Sequence, residues 1–248
     1  MLKQMAIAAA LAVAPMAAAQ AGEVVEYEID GEAFEGYRAM ASGESKGLVL
    51  VIHDWDGLTD YEVRRAEMLA EMGYDAFAVD LYGKGNRPVE TGAKKAETGK
   101  LYQNRERMRA LILGGLDVAR AEAPGEVVVM GYCFGGAATL ELARSGAADD
   151  VVGYTSFHGG LSTPDGQSYS ADTAPILVAH GGADQAISLD DVAQLGRELE
   201  AAGVTYEIQI YSGAPHAFTV FGSDRYQERA DRHSWAAFTT FLDTHLAK

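Results

Sequence analysis

A short glycine-rich segment, Gly131 to Gly135, contains the only cysteine of the chain, Cys133. The apolar run Glu126 to Met130 before it is typical of a buried strand, and a helical pattern continues after it to about Ser145. The sequence G-Y-C-F-G at a strand-to-helix junction has the spacing of a nucleophile elbow, in which side chains at the two glycine positions would collide with neighbouring backbone. A helix N-terminus beneath a thiol favours the thiolate form. Cys133 is therefore a candidate nucleophile; the alternative is a buried structural cysteine in a tight turn.

A thiol nucleophile needs a base, and two further residues are placed to supply the base and the acid that orients it. Asp184 follows the predicted strand Ile176 to Ala179, and His216 follows the predicted strand Tyr206 to Tyr211. Parallel strands end at the same edge of a sheet, so residues just past them converge although they are distant in the sequence. The chain order of nucleophile, acid and histidine is that of the α/β-hydrolases. We predict His216 as the base and Asp184 as the orienting acid for Cys133.

The rest of the chain alternates strands and helices, as the positioning of such a site requires. An antiparallel hairpin is predicted first, Val24 to Ile29 and Phe34 to Met40, turning at Asp30-Gly31. Further strands are predicted at Gly47–Ile52, Asp75–Asp80 and Val151–Phe157, and helices at Tyr61–Met72, Gln103–Arg120, Ser188–Ala202 and Arg229–Leu246. The segment Tyr82 to Lys100 is rich in Gly, Lys and Glu, which predicts weak helical content. The pattern predicts one α/β domain, residues 22–248, with a mostly parallel central sheet and helices on both faces.

Attack of a thiolate on a carbonyl also needs N–H donors for the oxyanion. Phe134, directly after the nucleophile, can donate through its backbone. The second donor is predicted in the loop H-D-W-D-G after the strand Gly47 to Ile52, with the backbone of Trp55 as the candidate.

The other histidines have weaker signals. His53, His158 and His180 also follow predicted strands and could line the cleft; the alternative for each is a structural role. His233 and His245 lie on the last predicted helix and are predicted to be at the surface. The sequence contains no H-E-x-x-H or similar ligand spacing, so we predict neither a metal site nor a cofactor.

The charge balance limits the partners of the protein. The chain has 248 residues with 20 basic and 36 acidic side chains, which gives a formal net charge of −16. So acidic a surface argues against nucleic acid and anionic membranes, and a small-molecule substrate is predicted instead. A single cysteine also excludes an intramolecular disulfide.

The first 21 residues have the pattern of a secretory signal peptide. Lys3 supplies a positive charge, Met5 to Met16 is an apolar stretch broken only by Pro15, and Ala19-Gln20-Ala21 offers small residues for cleavage. We expect an exported protein, periplasmic or secreted, whose mature chain starts near Gly22; the alternative is a buried N-terminal helix. No later stretch is long and apolar enough to span a membrane.

Four motifs together resemble the dienelactone hydrolase family. They are G-Y-C-F-G-G around Cys133, G-G-A-D ending at Asp184, H-A-F starting at His216, and D-L-Y-G after the fourth strand. The resemblance covers Val24 to Leu246 with every motif in order. It implies the α/β-hydrolase fold and a Cys-His-Asp triad at these three positions.

The resemblance also implies roles around the triad. The oxyanion donors of the family correspond to the backbones of Trp55 and Phe134. A glutamate of the family contacts the resting thiol and helps to generate the thiolate. The matching residue here is Asp54, one methylene shorter, so that either Asp54 or His216 could take the thiol proton.

One position departs from the family pattern. Dienelactone hydrolases hold the substrate carboxylate with arginines, one of them four residues after the catalytic histidine, where this chain has Val220. Lys94, Lys95, Lys100 or Arg105 could replace that cation. A dienelactone substrate therefore does not follow from the resemblance.

We expect hydrolysis of a carboxylic ester, lactone or thioester through an acyl-enzyme on Cys133. The alternative is a non-hydrolytic thiol protein on the same fold, used for redox sensing or ligand binding. The positions of Asp184 and His216 after strands favour catalysis.

Overall fold

One sheet of eight strands runs through the protein, a computed structural model in which residues 22–246 are described. In chain order the strands are β1 (Glu23–Ile29), β2 (Glu32–Ala39), β3 (Leu48–Ile52), β4 (Asp75–Val79), β5 (Val127–Tyr132), β6 (Val151–Phe157), β7 (Ile176–Gly181) and β8 (Tyr206–Tyr211). Their order in the sheet is β1-β2-β4-β3-β5-β6-β7-β8. All neighbours from β4 to β8 are parallel, and β1 and β2 are antiparallel additions at one edge.

Helices cover both faces of the sheet. They are α1 (Asp60–Glu71), α2 (Thr91–Gln103), α3 (Arg105–Glu122), α4 (Phe134–Ser145), α5 (Leu189–Ala202) and α6 (Glu228–His245). Apolar residues of α3, α4 and α5 form one core layer with the sheet, and those of α1 and α6 form a second layer on the opposite face. The predicted α/β-hydrolase architecture, a mostly parallel sheet between two helical layers, is confirmed.

The central strands show why the sheet needs both layers. Every residue of β3 is buried, and its side chains alternate, with Leu48, Leu50 and Ile52 in one layer and Val49 and Val51 in the other. A strand covered on both faces reads as a continuous apolar run, which is the pattern that predicted it.

The opening hairpin is also confirmed. Ile29 pairs with Glu32 across the turn, and Asp30 and Gly31 both have positive φ, at 52° and 79°. Two positive-φ residues form the turn whose twist matches that of an antiparallel pair, and Asp-Gly is among the dipeptides that favour it.

The segment after β4 differs from the prediction. The sequence predicts weak helical content there, whereas the structure has α2, a helix of 13 residues. Glu90 precedes α2 without a capping side-chain bond, and Thr98 and Leu101 are its buried residues. Asn104 ends α2, and its side chain accepts a hydrogen bond from the Arg107 N–H at the start of α3. An uncapped helix with so narrow a buried face has almost no sequence signature.

The predicted signal peptide, residues 1–21, lies outside the described residues. From residue 22 to residue 246, none of the helices has the length and apolar character needed to cross a bilayer.

Candidate active site

Cys133 sits on a strained turn between β5 and α4. Its φ is 51° and its ψ is −110°, a conformation that side-chain-bearing residues rarely adopt, and its N–H donates to the Phe157 carbonyl at 3.0 Å. A Cβ at Gly131 would overlap the carbonyl oxygen of Gly135, and a Cβ at Gly135 would overlap that of Ile52. The two glycines therefore allow the close backbone approach that holds the thiol at the end of β5.

His216 lies between Cys133 and Asp184. Its Nε2 is 3.1 Å from Cys133 Sγ, and its Nδ1 is 2.8 Å from Asp184 Oδ2. A ring held by a carboxylate at one nitrogen and facing a thiol at the other has the hydrogen-bond order of a nucleophile, base and orienting acid.

The loops after β7 and β8 are bonded to each other, which fixes the distance between Asp184 and His216. The Gly182 N–H donates to the Tyr211 carbonyl at 2.8 Å, and the Ala183 N–H donates to the Ala214 carbonyl at 2.9 Å. These bonds join the residue before Asp184 to the residue two before His216. The carboxylate and the imidazole are therefore positioned by backbone rather than by their side-chain contact alone.

The Asp184 carboxylate is fully buried and held at both oxygens. Oδ1 accepts from the N–H groups of Ala186 at 2.8 Å and Ile187 at 3.0 Å, while Oδ2 faces His216. Burial raises the pKa of Asp184, but the hydrogen bonds from His216 and from these amides outweigh it and lower the pKa below its ordinary value. Asp184 is thus an anion aimed at the imidazole.

The same contacts favour a charged His216. Burial opposes the imidazolium, but the hydrogen bonds to Asp184 and Cys133 outweigh it and raise the pKa of His216 to about 10. A protonated imidazole is a group that stabilises a neighbouring thiolate.

The two predicted oxyanion donors lie directly after Cys133, at Phe134, and in the loop after the neighbouring strand β3, at Trp55. Phe134 is the first residue of α4, so its N–H has no partner within the helix. Trp55 lies in the loop after β3, where the described hydrogen bonds leave its N–H without an acceptor. Glu62 stabilises this loop, because its carboxylate accepts hydrogen bonds from the Asp54 N–H at 3.2 Å and from the Thr59 N–H at 2.9 Å.

Asp54 is buried in this loop. Its Oδ1 accepts a hydrogen bond from the Asp56 N–H at 2.8 Å, and the structure shows no hydrogen bond between Asp54 and Cys133, both of which are described residues. Burial raises the pKa of Asp54 to about 6, although the Asp56 N–H opposes this shift. The thiol contact implied by the family resemblance is replaced here by the contact of Cys133 with His216.

Three histidines at or just past the ends of strands, His53, His158 and His180, are all fully buried. His53 is structural: its Nε2 accepts from the Leu81 N–H at 3.1 Å and its Nδ1 lies 2.6 Å from the Asp54 carbonyl. His180 lies within β7, directly before its last residue, Gly181. His158 contacts the site, with its ring centroid 5.4 Å from that of His216. On α6, His233 is exposed and His245 is half-buried.

A chain of hydrogen bonds runs from His158 into the protein. His158 Nε2 is 2.7 Å from Thr219 Oγ1, which is 2.6 Å from the Tyr61 hydroxyl, and Arg65 Nε donates to that hydroxyl at 3.4 Å. Arg65 is itself buried, paired with Asp231, and donates to the Thr219 carbonyl at 2.9 Å.

Arg65 fixes one donor in this chain. Arginine only donates, so the Tyr61 hydroxyl accepts from Arg65. In the contacts of Thr219 Oγ1 with the Tyr61 hydroxyl and with His158 Nε2, either atom can be the donor. Sequence reasoning missed this chain, because its members are spread over α1, the end of β6 and the loop after β8.

Aromatic rings pack around Phe134, the residue after Cys133. The rings of Tyr82 and Tyr102 lie 5.9 and 5.5 Å from that of Phe134, and the Tyr82 hydroxyl donates to the Trp55 carbonyl at 3.3 Å. Burial raises the pKa of Tyr102 to about 12, and the nearby charge of Cys133 adds to this shift. Tyr82 follows β4, so the strand-end rule that selected the triad could have identified it.

The cations that could replace the missing arginine are engaged elsewhere or exposed. Lys94 lies over the Trp55 ring and pairs with Asp56 at 2.6 Å. Lys100 pairs with Glu97, Arg105 pairs with Glu141, and Lys95 is exposed. Val220 is half-buried in the loop after His216.

Residues 22–246 contain no group of three or more His, Cys, Asp or Glu side chains arranged to hold a metal ion.

The chain is similar to known proteins over most of its length. The family model described as "Dienelactone hydrolase family" matches residues 34–246. A protein named usf from Aquifex pyrophilus is 28% identical over 237 residues, 91% of this chain and 99% of the relative. A carboxymethylenebutenolidase from Rhodococcus opacus is 24% identical over 213 residues, 82% of each chain.

Solved structures are also similar to this chain. A dienelactone hydrolase-like promiscuous phosphotriesterase from metagenomic libraries is 25% identical, with a TM-score of 0.83 over 92% of this chain and 99% of that chain. The family model extends from β2 to α6, and the motifs of the family lie at the strand ends where they are expected. The chain therefore belongs to the dienelactone hydrolase family.

Proposed function

We propose that the protein hydrolyses carboxylic esters, lactones or thioesters with Cys133 as the nucleophile. One observation carries the proposal: His216 lies 3.1 Å from Cys133 Sγ through one ring nitrogen and 2.8 Å from Asp184 through the other. Membership of the dienelactone hydrolase family supports an ester or lactone as the substrate. A relative named carboxymethylenebutenolidase supports the same class.

In the first half of the reaction, the Cys133 thiolate attacks the carbonyl carbon and a carbon–sulfur bond forms. The carbonyl π electrons move to oxygen, and the resulting oxyanion accepts hydrogen bonds from the Trp55 and Phe134 N–H groups. When the intermediate collapses, the bond to the alkoxy oxygen breaks. His216 gives its Nε2 proton to the departing oxygen, so an alcohol leaves and an acyl-enzyme remains.

In the second half, neutral His216 removes a proton from water as the oxygen attacks the acyl-enzyme. The second tetrahedral oxyanion uses the same two donors. Its collapse breaks the carbon–sulfur bond and releases the carboxylic acid, so that Cys133 is again a thiolate beside a charged His216. Asp184 keeps its charge throughout and holds the ring in one orientation.

We assign the resting proton to His216 rather than to Asp54. The contact of 3.1 Å between His216 Nε2 and Cys133 Sγ supports this assignment, whereas the Asp54 carboxylate accepts from the Asp56 N–H. Asp54 then acts on the site through its charge and through the conformation of the loop that carries Trp55.

The experiment is a panel of activated esters of increasing acyl length, assayed with wild type, with Cys133→Ala and with iodoacetamide-treated wild type. We expect turnover by wild type, a burst of alcohol release that equals the enzyme concentration, and loss of turnover in the other two samples. Full esterase activity after complete alkylation of Cys133 would contradict the proposed nucleophile.

The same panel separates the hydrolase from its alternative, a non-hydrolytic thiol protein. A redox sensor or ligand-binding protein would be alkylated and oxidised at Cys133 but would turn over none of the esters. Turnover that depends on Cys133 favours the hydrolase.

We also propose that the protein is exported and that its mature chain starts near Gly22. The pattern of Lys3, the apolar stretch Met5 to Met16 and Ala19-Gln20-Ala21 supports this location. N-terminal sequencing of native protein that still begins at Met1 would contradict it.

A further inference from the structure

Glu141, on α4, is a carboxylate that pairs with three arginines. Glu141 is fully buried, and its oxygens accept from four side chains: Arg105 at 3.0 Å, Arg109 at 2.5 Å, Arg144 at 3.4 Å and Gln167 at 2.9 Å. Burial opposes ionisation of Glu141, but the hydrogen bonds from Arg109 and Gln167 and the guanidinium charges outweigh it and lower its pKa. Glu141 is therefore an anion inside a basic cluster.

The charges of this cluster do not balance. One guanidinium is enough to neutralise one carboxylate, and arginine keeps its charge at every accessible pH. Three arginines facing Glu141 leave a net charge of two positive units, in a chain whose overall charge is −16. Uncompensated like charges held close together repel one another, so an anion of charge −2 would be stabilised there.

The three arginines differ in exposure and in the number of donors that are already bonded. The Arg144 side chain is only 3% exposed, and its three nitrogens bond to Gln167, Tyr169 and Glu141. Arg105 and Arg109 lie one turn apart on α3, and each side chain is 28% exposed. Each donates to Glu141 through one terminal nitrogen and leaves its other donors without an acceptor among residues 22–246. Arg144 is fixed in place, whereas Arg105 and Arg109 retain donors for a ligand.

A cavity opens beside Arg109. Its volume is about 480 Å³, and Arg109, Arg144, Glu141 and Gln167 line it together with Ser168. The size accommodates a phosphate group with part of a small molecule attached. Arg105 does not line the cavity, but it lies one turn from Arg109 on α3 and adds its charge to the cluster.

We propose that the arginine cluster, which consists of Arg105, Arg109 and Arg144, binds a phosphate dianion, either free or as the monoester group of a small ligand. The planar guanidinium donates two parallel hydrogen bonds to a phosphate, which suits the unused donors of Arg109 in the cavity lining. A phosphate monoester carries a charge near −2 at neutral pH, which matches the excess charge of the cluster. The inference is independent of the proposed esterase activity.

The test is a calorimetric titration with inorganic phosphate at pH 7.5, with sodium chloride added to hold the ionic strength constant. Wild type is compared with Arg109→Gln and with Arg107→Gln. Arg107 is a matched control because it lies on the same helix but pairs with two carboxylates, Asp30 and Glu32. We expect saturable binding to wild type and to Arg107→Gln, and a Kd about 10-fold higher for Arg109→Gln, since losing one charge-assisted pair costs about 1.4 kcal/mol.

Further samples locate and identify the ligand. Cys133→Ala should bind phosphate like wild type, and succinate should bind at least about 10-fold more weakly than phosphate. Circular dichroism verifies folding, and Arg105→Gln replaces Arg109→Gln if the latter does not fold. Absence of saturable phosphate binding to wild type, equal binding by the arginine variant, loss of binding in Cys133→Ala, or succinate binding equal to phosphate would each overturn the proposal.

Discussion

The rings of His158 and His216 meet edge to face, with their centroids 5.4 Å apart and an interplanar angle of 65°. Burial, with the charges of His216 and Arg65, lowers the pKa of His158 well below its ordinary value. Burial also opposes charge on His216, but its bonds to Asp184 and Cys133 raise its pKa to about 10. One ring is therefore neutral and the other charged, which avoids repulsion at the centre of the site.

We predict that breaking the bond between His158 and Thr219 weakens both folding and catalysis. His158→Phe and Thr219→Val should each lower the free energy of unfolding by about 1–3 kcal/mol, because each leaves a buried polar group unpaired. The kcat/KM for an activated ester should fall about 10-fold, because the ring at position 158 that packs against His216 is no longer held by Thr219. Urea unfolding and ester kinetics measure the two effects.

Thr155→Val is the matched control, because the Thr155 hydroxyl is buried and has no hydrogen-bond partner among the described residues. It should leave stability and kinetics close to those of wild type. The double variant of His158 and Thr219 should lose less than the sum of the single variants. Additive losses, or a Thr219→Val variant with unchanged kinetics, would contradict a functional pair.

The charge on His216 can be followed by NMR titration of its imidazole. The wild-type ring should stay protonated until the pH approaches about 10. Cys133→Ala and Asp184→Asn each remove an anion and a hydrogen bond, so the midpoint should move down toward the ordinary value of about 6.5.

This titration also predicts a change in stability. A raised pKa in the folded state stabilises the protein fully below the unfolded value of about 6.5 and progressively less as the pH approaches about 10. The stability difference between wild type and Asp184→Asn that arises from His216 should therefore shrink over that interval. An unchanged midpoint in both variants would show that the two contacts do not control the charge of His216.

Activity should depend on Cys133 and His216 as a unit. Each alanine variant should lose at least about 10³-fold in kcat/KM, and the double variant should be little worse than either. Asp184→Asn should lose less, because the Ala186 and Ile187 amides still hold the side chain. Steady-state kinetics with one ester suffice, and near-normal turnover by His216→Ala would show that the base is another group.

Glu62 should make folding less favourable as the pH rises through neutrality. Burial and the charge of Asp54 raise the pKa of Glu62 to about 8, while an unfolded glutamate titrates near 4.3. The folded state therefore binds this proton more tightly, and the stability it contributes is lost between these two pH values. Glu62→Gln cannot titrate, so the unfolding free energy of wild type relative to this variant should fall between about pH 4.3 and 8.

The exposed-face variant Glu71→Gln, on the same helix, is the control and should show no such trend. The pKa of Asp54 is also raised, to about 6, so its titration changes stability in the same direction as that of Glu62. Asp54 is present both in wild type and in Glu62→Gln. A wild-type-minus-Gln difference that stays constant from pH 4 to 8 would show that Glu62 is ionised throughout.

Neutral short-chain esters should be better substrates than carboxylated lactones. A substrate carboxylate would meet Val220 instead of an arginine, and the nearby Lys94 is already paired with Asp56. We expect kcat/KM to differ by more than about 10-fold, which needs only about 1.4 kcal/mol. Val220→Arg should narrow this difference if the new side chain reaches the cleft. A wild-type preference for the carboxylated lactone that disappears in Lys94→Gln would instead identify Lys94 as the anion site.

The proximity of Cys133, His216 and Asp184 could be predicted because it depends on strand ends. The buried strands have continuous apolar patterns, the glycine elbow has a local signature, and the parallel sheet brings their ends together. The distances from His216 to Cys133 and Asp184 agree with this expectation. The loop bonds that fix those distances, such as that from Ala183 to Ala214, leave no trace in residue type because they are made by backbone.

Contacts between distant side chains could not be predicted in this way. Tyr61 and Thr219 are 158 residues apart and meet because α1 and the loop after β8 pack on the same face of the sheet. The T-x-x-E spacing from Thr59 to Glu62 indicates a helix cap. It does not indicate that Glu62 also accepts from the Asp54 N–H.

The position of the strands in the sheet has a consequence for inactivation. Cys133 follows β5, in the middle of the sheet, whereas His216 follows β8, an edge strand that pairs only with β7. Edge elements open locally at lower free energy than central ones. Amide hydrogen exchange should therefore be faster in β8 than in β5, and each opening of β8 would carry the imidazole away from the thiol. On heating, opening of β8 would abolish catalysis while the centre of the sheet is still folded.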